Sequence, residues 1–85
     1  MTVLELARGG SAVVLDVKGE HVAVLSSLPS PPGSPLEATL EGQALRIKVR
    51  SCRRVEADDA GRAFRIEGRF VSLTRGQREA LRREP

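Results

Sequence analysis

Tryptophan and tyrosine are absent from this chain, and Phe64 and Phe70 are its only aromatic residues. Any core must therefore be built from Val, Leu, Ile and Ala. The surface has little with which to stack bases, as single-strand binders do on exposed aromatics. There is one cysteine, Cys52, which excludes an internal disulfide and a cysteine-based metal site. Cys52 reads as a small strand residue and not a nucleophile, because the one histidine, His21, falls in a different hairpin. No apolar run approaches the ~18 residues of a membrane-spanning helix. The N-terminus lacks the basic head and apolar stretch of a secretory signal, which makes the cytoplasm the expected compartment. Phosphate loops, zinc-ligand spacings and dinucleotide fingerprints are also missing.

The 85 residues are 40% hydrophobic and 29% charged, an ordinary balance for a soluble globular domain. A chain of this size buries a little over ~60% of its unfolded surface, enough for one domain. The net charge of +3 is unevenly spread. Residues 1–45 carry Arg8 and Lys18 against five acids; residues 46–85 carry twelve bases against six acids. Arginine supplies twelve of the fourteen bases, and its planar fork suits phosphate and carboxylate. A GC-rich genome produces the same bias, so the bias alone does not decide function.

Hydrophobic periodicity divides the chain into short strands. Residues 2–6 form the first, and Ala7-Arg8-Gly9-Gly10 a glycine turn. Residues 11–17 are apolar on both faces, Lys18-Gly19-Glu20 turns the chain, and residues 21–26 return. The segment 27–35 holds four prolines in nine residues, which forbids helix and ladder pairing and predicts an extended loop, a stiff spacer between hairpins. Residues 36–40 form a fourth strand, and Glu41-Gly42-Gln43 a turn. The most informative stretch follows. Over 44–55, Leu45, Ile47 and Val49 alternate with Arg46, Lys48 and Arg50; over 62–71, Phe64, Ile66 and Phe70 alternate with Arg65, Glu67 and Arg69. That period puts one face of each strand inside and the other in water. The acidic turn 57–61 joins them. Thr74 and Gln77 then form a capping box that predicts a helix over 74–83. The expected architecture is mainly β: one domain, 1–85, with a six-stranded antiparallel barrel of consecutive hairpins over 2–71 and a C-terminal helix plugging an open end. The start of structure directly after Met1 predicts a whole small protein.

From Ser11 to Arg82 the chain resembles the PilZ domain, a small bacterial barrel associated with cyclic di-GMP signalling. Three places carry the likeness: Asp16-Val17-Lys18-Gly19-Glu20-His21, where the family has an Asp/Asn-x-Ser-x-x-Gly turn between strands; 32–40, a proline/glycine segment running into a strand; and 69–82, a terminal strand-to-helix run, the most specific of the three. The resemblance implies the barrel. It also implies a nucleotide site, for which Asp16, Lys18 and Arg8 are the candidates here. The family's Arg-x-x-x-Arg segment does not precede the first strand, Lys18 stands at the serine position, and His21 at the glycine position. These departures argue against ordinary cyclic di-GMP binding, so no cofactor is expected.

Among candidate chemistries, Asp58 and Asp59 sit in a turn that favours aspartate locally. Asp16 and His21 flank a turn, where a hydrogen-bonded hairpin pair is expected and not a catalytic dyad. No enzyme activity is predicted. A partner-binding surface is expected from Arg46, Lys48, Arg50, Arg53, Arg54, Arg65 and Arg69, together with the proline loop. The resulting expectation is a PilZ-like adaptor acting by protein–protein contact in bacterial signalling, motility or type IV pilus function, monomeric or homodimeric. The alternatives are a non-standard cyclic di-GMP receptor and a basic nucleic-acid-binding barrel whose affinity would collapse with salt.

Overall fold

The structure, a computed structural model, describes residues 2–40, 42–71 and 75–76. The strands are β1 (Val3–Leu6), β2 (Ser11–Lys18), β3 (His21–Ser26), β4 (Pro35–Leu40), β5 (Gln43–Arg54) and β6 (Phe64–Val71). They are antiparallel and close into a barrel in the order β1-β2-β3-β6-β5-β4. The C-terminal helix expected over 74–83 lies outside the described residues, Arg75 and Gly76 excepted.

The barrel is not a ring of consecutive hairpins. β3 pairs with β6, from His21↔Arg69 to Ser26↔Phe64, and β4 closes against β1 through Glu5↔Thr39 and Leu6↔Ala38. The cause is the 27–34 connection, which crosses an end of the barrel and delivers β4 to the far side of β5. Leu28 packs against the core, and the fully buried Ser26 hydroxyl both accepts from Leu28 N–H (3.1 Å) and donates to Leu28 C=O (2.7 Å). The proline segment yields one further correction. Pro35 does enter the ladder, opposite Lys48. It is the first residue of its strand, where the missing N–H is tolerated.

Every second residue points inward. Leu4, Val24, Ile47 and Ile66 are almost wholly removed from solvent, and Phe70 closes the same cluster. Gly68 takes an inward position on β6, where a Cβ would run into the Lys48 carbonyl oxygen and Ile47 Cγ2. Its lack of a side chain lets β5 and β6 approach closely. Just beyond, the register of β5 on β6 shifts between Val49 and Ser51, leaving Arg50 as the extra residue of a bulge. A second bulge lies between Val14 and Asp16 on β2, with Leu15 as its extra residue. Each bulge bends its strand and raises the local twist that closure requires.

β6 begins at Phe64 and not at residue 62 because Asp58 organises the preceding loop. One carboxylate oxygen accepts from the Ala60 and Arg62 N–H groups (3.0 and 2.8 Å); the other accepts from Arg62 Nε at 2.6 Å. Arg62 also donates to the Ser11 hydroxyl at 3.3 Å, tying the loop to the start of β2.

Candidate binding surface

The outer face of the four adjacent strands β2, β3, β6 and β5 is ordered by register into three cross-strand rows. Lys18 lies opposite His21, His21 opposite Arg69, and Arg69 opposite Lys48. Asp16, Ala23, Glu67 and Ser51 form the next row; Val13, Leu25, Arg65 and Arg53 form the third. Strands lie ~4.8 Å apart, so the first row is a line of bases about 14 Å long. All four of its side chains are exposed.

Like charges directly opposite one another destabilise a sheet. Two such pairs occur here, Lys48 with Arg69 and Arg53 with Arg65. Relief is partial. Arg69 reaches Glu20 at 2.8 Å, while Arg65 Nε is 3.9 Å from Glu67, too far for a hydrogen bond. Arg65 Nε is in fact buried without a hydrogen-bond partner among the described residues. Lys18, Lys48, Arg50 and Arg53 make no ion pair among the described residues. Arg46 does, holding Glu37 across β4–β5 at 2.6 Å. Both partners of that pair are about half exposed, which limits its stabilisation to ~0–1 kcal/mol.

Between the two bulges the outer face sinks into an open depression of about 440 Å³. Asp16, Lys18 and His21 line it from the β2–β3 hairpin, and Arg50, Arg65 and Glu67 from β5 and β6. The register accounts for its shape: Ala23 sits at the centre of the acidic row, and a methyl group there leaves room between longer neighbours. Asp16 and His21 share this depression but do not form the expected hydrogen-bonded pair. The Leu15 bulge sets Asp16 opposite Ala23, and His21 faces Lys18.

The structure thus brings Asp16 and Lys18 together with Arg50 and Arg65. Lys48, Arg53 and Arg69 continue the same face. Arg8 is elsewhere, lining a smaller cleft of about 210 Å³ with Leu28, Pro29 and Pro35 beneath the β1–β2 turn. Arg54 pairs with Phe64, one step out of phase with Arg53, so its side chain leaves the opposite side of the strand. His21 joins the row only through the β3–β6 pairing, which local periodicity does not show. The glycine inside an otherwise alternating strand, Gly68, was the one sequence sign of a bulge nearby. Among the described residues no group of His, Cys, Asp and Glu is arranged to hold a metal ion. No described helix is long and apolar enough to cross a membrane. Searches of protein-family models, curated proteins and solved structures find no match to this chain.

Proposed function

We propose that this barrel is a binding module without catalytic activity, a PilZ-like adaptor that receives an acidic surface of a partner protein on the outer face of β2-β3-β6-β5. Bacterial signalling or motility is the setting that the resemblance suggests, with the cytoplasm as its compartment. The observation that carries the reading is the row Lys18, His21, Arg69 and Lys48. A line of bases held in register by backbone pairing is already organised, so an anionic partner adds little ordering cost. Its carboxylates would also relieve the repulsion between Lys48 and Arg69. Binding fits these residues better than catalysis, since His21 has no hydrogen bond to Asp16 or to a hydroxyl among the described residues that would activate a nucleophile.

A second reading is favoured by one observation. Asp16 and Lys18, at positions matched to the family's nucleotide motif, line the same depression as Arg50 and Arg65. Those two guanidinium groups could take the phosphate and guanine contacts that the family draws from its Arg-x-x-x-Arg segment, making the depression a non-standard cyclic di-GMP site. The two readings separate in one experiment. The ¹⁵N-labelled protein is titrated with poly-L-glutamate and, separately, with cyclic di-GMP. Poly-glutamate shifts at Lys18, His21, Lys48 and Arg69 support the adaptor. Saturable cyclic di-GMP shifts at Asp16, Lys18 and Arg50 support the receptor. Shifts with neither ligand sink both.

A further inference from the structure

Among the described residues, strand β5 carries an open backbone edge past Val49. On one side it is paired with β6 as far as Arg54↔Phe64. On the other side β4 runs out at Pro35↔Lys48, and the connecting loop completes only Val49, through Gly33 N–H to Val49 C=O (3.0 Å) and Val49 N–H to Ser34 C=O (3.2 Å). Beyond Val49 no described residue pairs with that side. The groups that face outward follow from ladder alternation. Val55 N–H donates to Ala63 C=O at 2.7 Å, so Arg53 with Arg65 and Ser51 with Glu67 are the hydrogen-bonded pairs. Cys52 and Arg54 therefore turn their N–H and C=O groups away from β6. Such a row of groups is a template for another strand.

The charge on this edge selects the strand. Arg50, Arg53 and Arg54 are all exposed, and none makes an ion pair among the described residues. Pairing β5 with β5 of a second copy would double that cluster along one seam, which like-charge repulsion opposes. An acidic strand would neutralise it. The corner left beside β2, past the Val14 N–H to Thr2 C=O bond (2.9 Å), offers no such selection, since Asp16 and Lys18 there cancel.

We propose that the β5 edge at residues 51–54 takes up an extended acidic segment of a partner protein by strand addition. The segment's backbone bonds to Cys52 and Arg54. Its carboxylates meet Arg53 on the outer face and Arg54 on the opposite face, so it carries acids at consecutive positions. This deepens the adaptor reading and rests on it, adding to the row of bases a backbone contact at the edge, which the row does not supply.

The test uses the full chain and a synthetic peptide, acetyl-Thr-Val-Glu-Glu-Val-Glu-Thr-amide, with a second copy N-methylated at alternate residues. Arg54→Pro removes an N–H that points away from β6 and so spares the existing ladder, and Arg54→Ala, which keeps the N–H, is its reference for the lost guanidinium; Lys48→Glu alters only the row. The expected result is peptide binding that protects the Cys52 and Arg54 amides from hydrogen exchange. N-methylation, and Arg54→Pro relative to Arg54→Ala, should each weaken binding about tenfold, the worth of one or two lost hydrogen bonds. Lys48→Glu should weaken it far less. If Arg54→Pro disrupts the fold, as its amide spectrum would reveal, the N-methylated peptide decides. Equal binding of both peptides together with loss on Lys48→Glu overturns strand addition and leaves the adaptor reading standing. No binding of either peptide or of poly-glutamate overturns both. Cys52 and Arg54 protection that rises with protein concentration, without peptide, overturns the proposal by making a second copy the occupant.

Discussion

The inner and outer faces of the β2-β3-β6-β5 sheet alternate along the same strands yet follow different logic. On the inner face each demand is met from within: Val22, Val24, Ile47, Ile66 and Phe70 cover one another, and Gly68 yields space where two strands converge. On the outer face Lys48 faces Arg69, Arg53 faces Arg65, and the carboxylates within reach relieve only part of the repulsion. Folding explains the first arrangement completely. The second leaves like charges in contact with solvent, and it is on this face that the proposed partner surface lies.

The comparison breaks most sharply at Gly68. Gly68→Val places a branched side chain against the Lys48 carbonyl and the Ile47 side chain, and the obstacle at Lys48 is backbone that cannot rotate aside. A loss of about 3 kcal/mol or more is expected, a large share of a small domain's stability. Chemical denaturation measures it, and a variant as stable as the parent would mean that β5 and β6 are not held this close. Next is Ile47→Ala, at a site with no solvent exposure. The lost methylenes and the resulting cavity predict a loss of ~2–5 kcal/mol by the same assay. A loss under 1 kcal/mol would place Ile47 outside the core.

The difference between the faces also governs what the sequence reveals. Inner positions repeat with the period of a strand, so Leu45, Ile47, Val49, Ile66 and Phe70 are legible one by one, as is the closed, mainly β architecture they require. Strand order is not. Local alternation says which way Val24 points but not that it lies beside Ile66, and that pairing depends on the long connection crossing the barrel end. The outer surface inherits the same blindness. Lys48 and Arg69 could be read as neighbours across one hairpin, whereas Lys18 and His21 join them only once β3 is known to lie against β6. The bulge at Leu15 is similarly hidden, because a single extra residue in a mixed stretch leaves little periodic trace.

On the outer face, Lys48→Glu sharpens the contrast by changing function and stability in opposite senses. It converts a like-charge pair into an attractive one with Arg69, so stability should hold or rise by ~0.2–1 kcal/mol. Retention of poly-glutamate should fall severalfold, most clearly at low salt, where exposed charges are least screened. A core residue cannot behave in this way, since removing its partner contacts costs stability first. A variant that loses stability and keeps its poly-glutamate affinity would assign Lys48 to the fold and not to the surface.

The smallest effect belongs to the 57–61 loop, which obeys the inner face's logic while standing outside the core. Partial burial pushes the Asp58 carboxyl up, but the hydrogen bond from the Arg62 side chain, those from the Arg62 and Ala60 N–H groups, and the charge of Arg62 together hold it below its ordinary value. A carboxyl depressed in the folded state contributes stability above its unfolded value and loses it as pH falls through the folded one. Asp58→Asn keeps an oxygen for the two N–H donors but gives up the charge that faces Arg62 Nε. The parent should therefore melt higher than the variant above about pH 5, with the gap closing as the pH drops below the ordinary carboxylate range near ~4. Paired thermal melts across that range check it. A gap that stayed constant down to the lowest pH would mean that Asp58 orders the loop by hydrogen-bond geometry alone, and that its charge, unlike those in the outer rows, has no consequence.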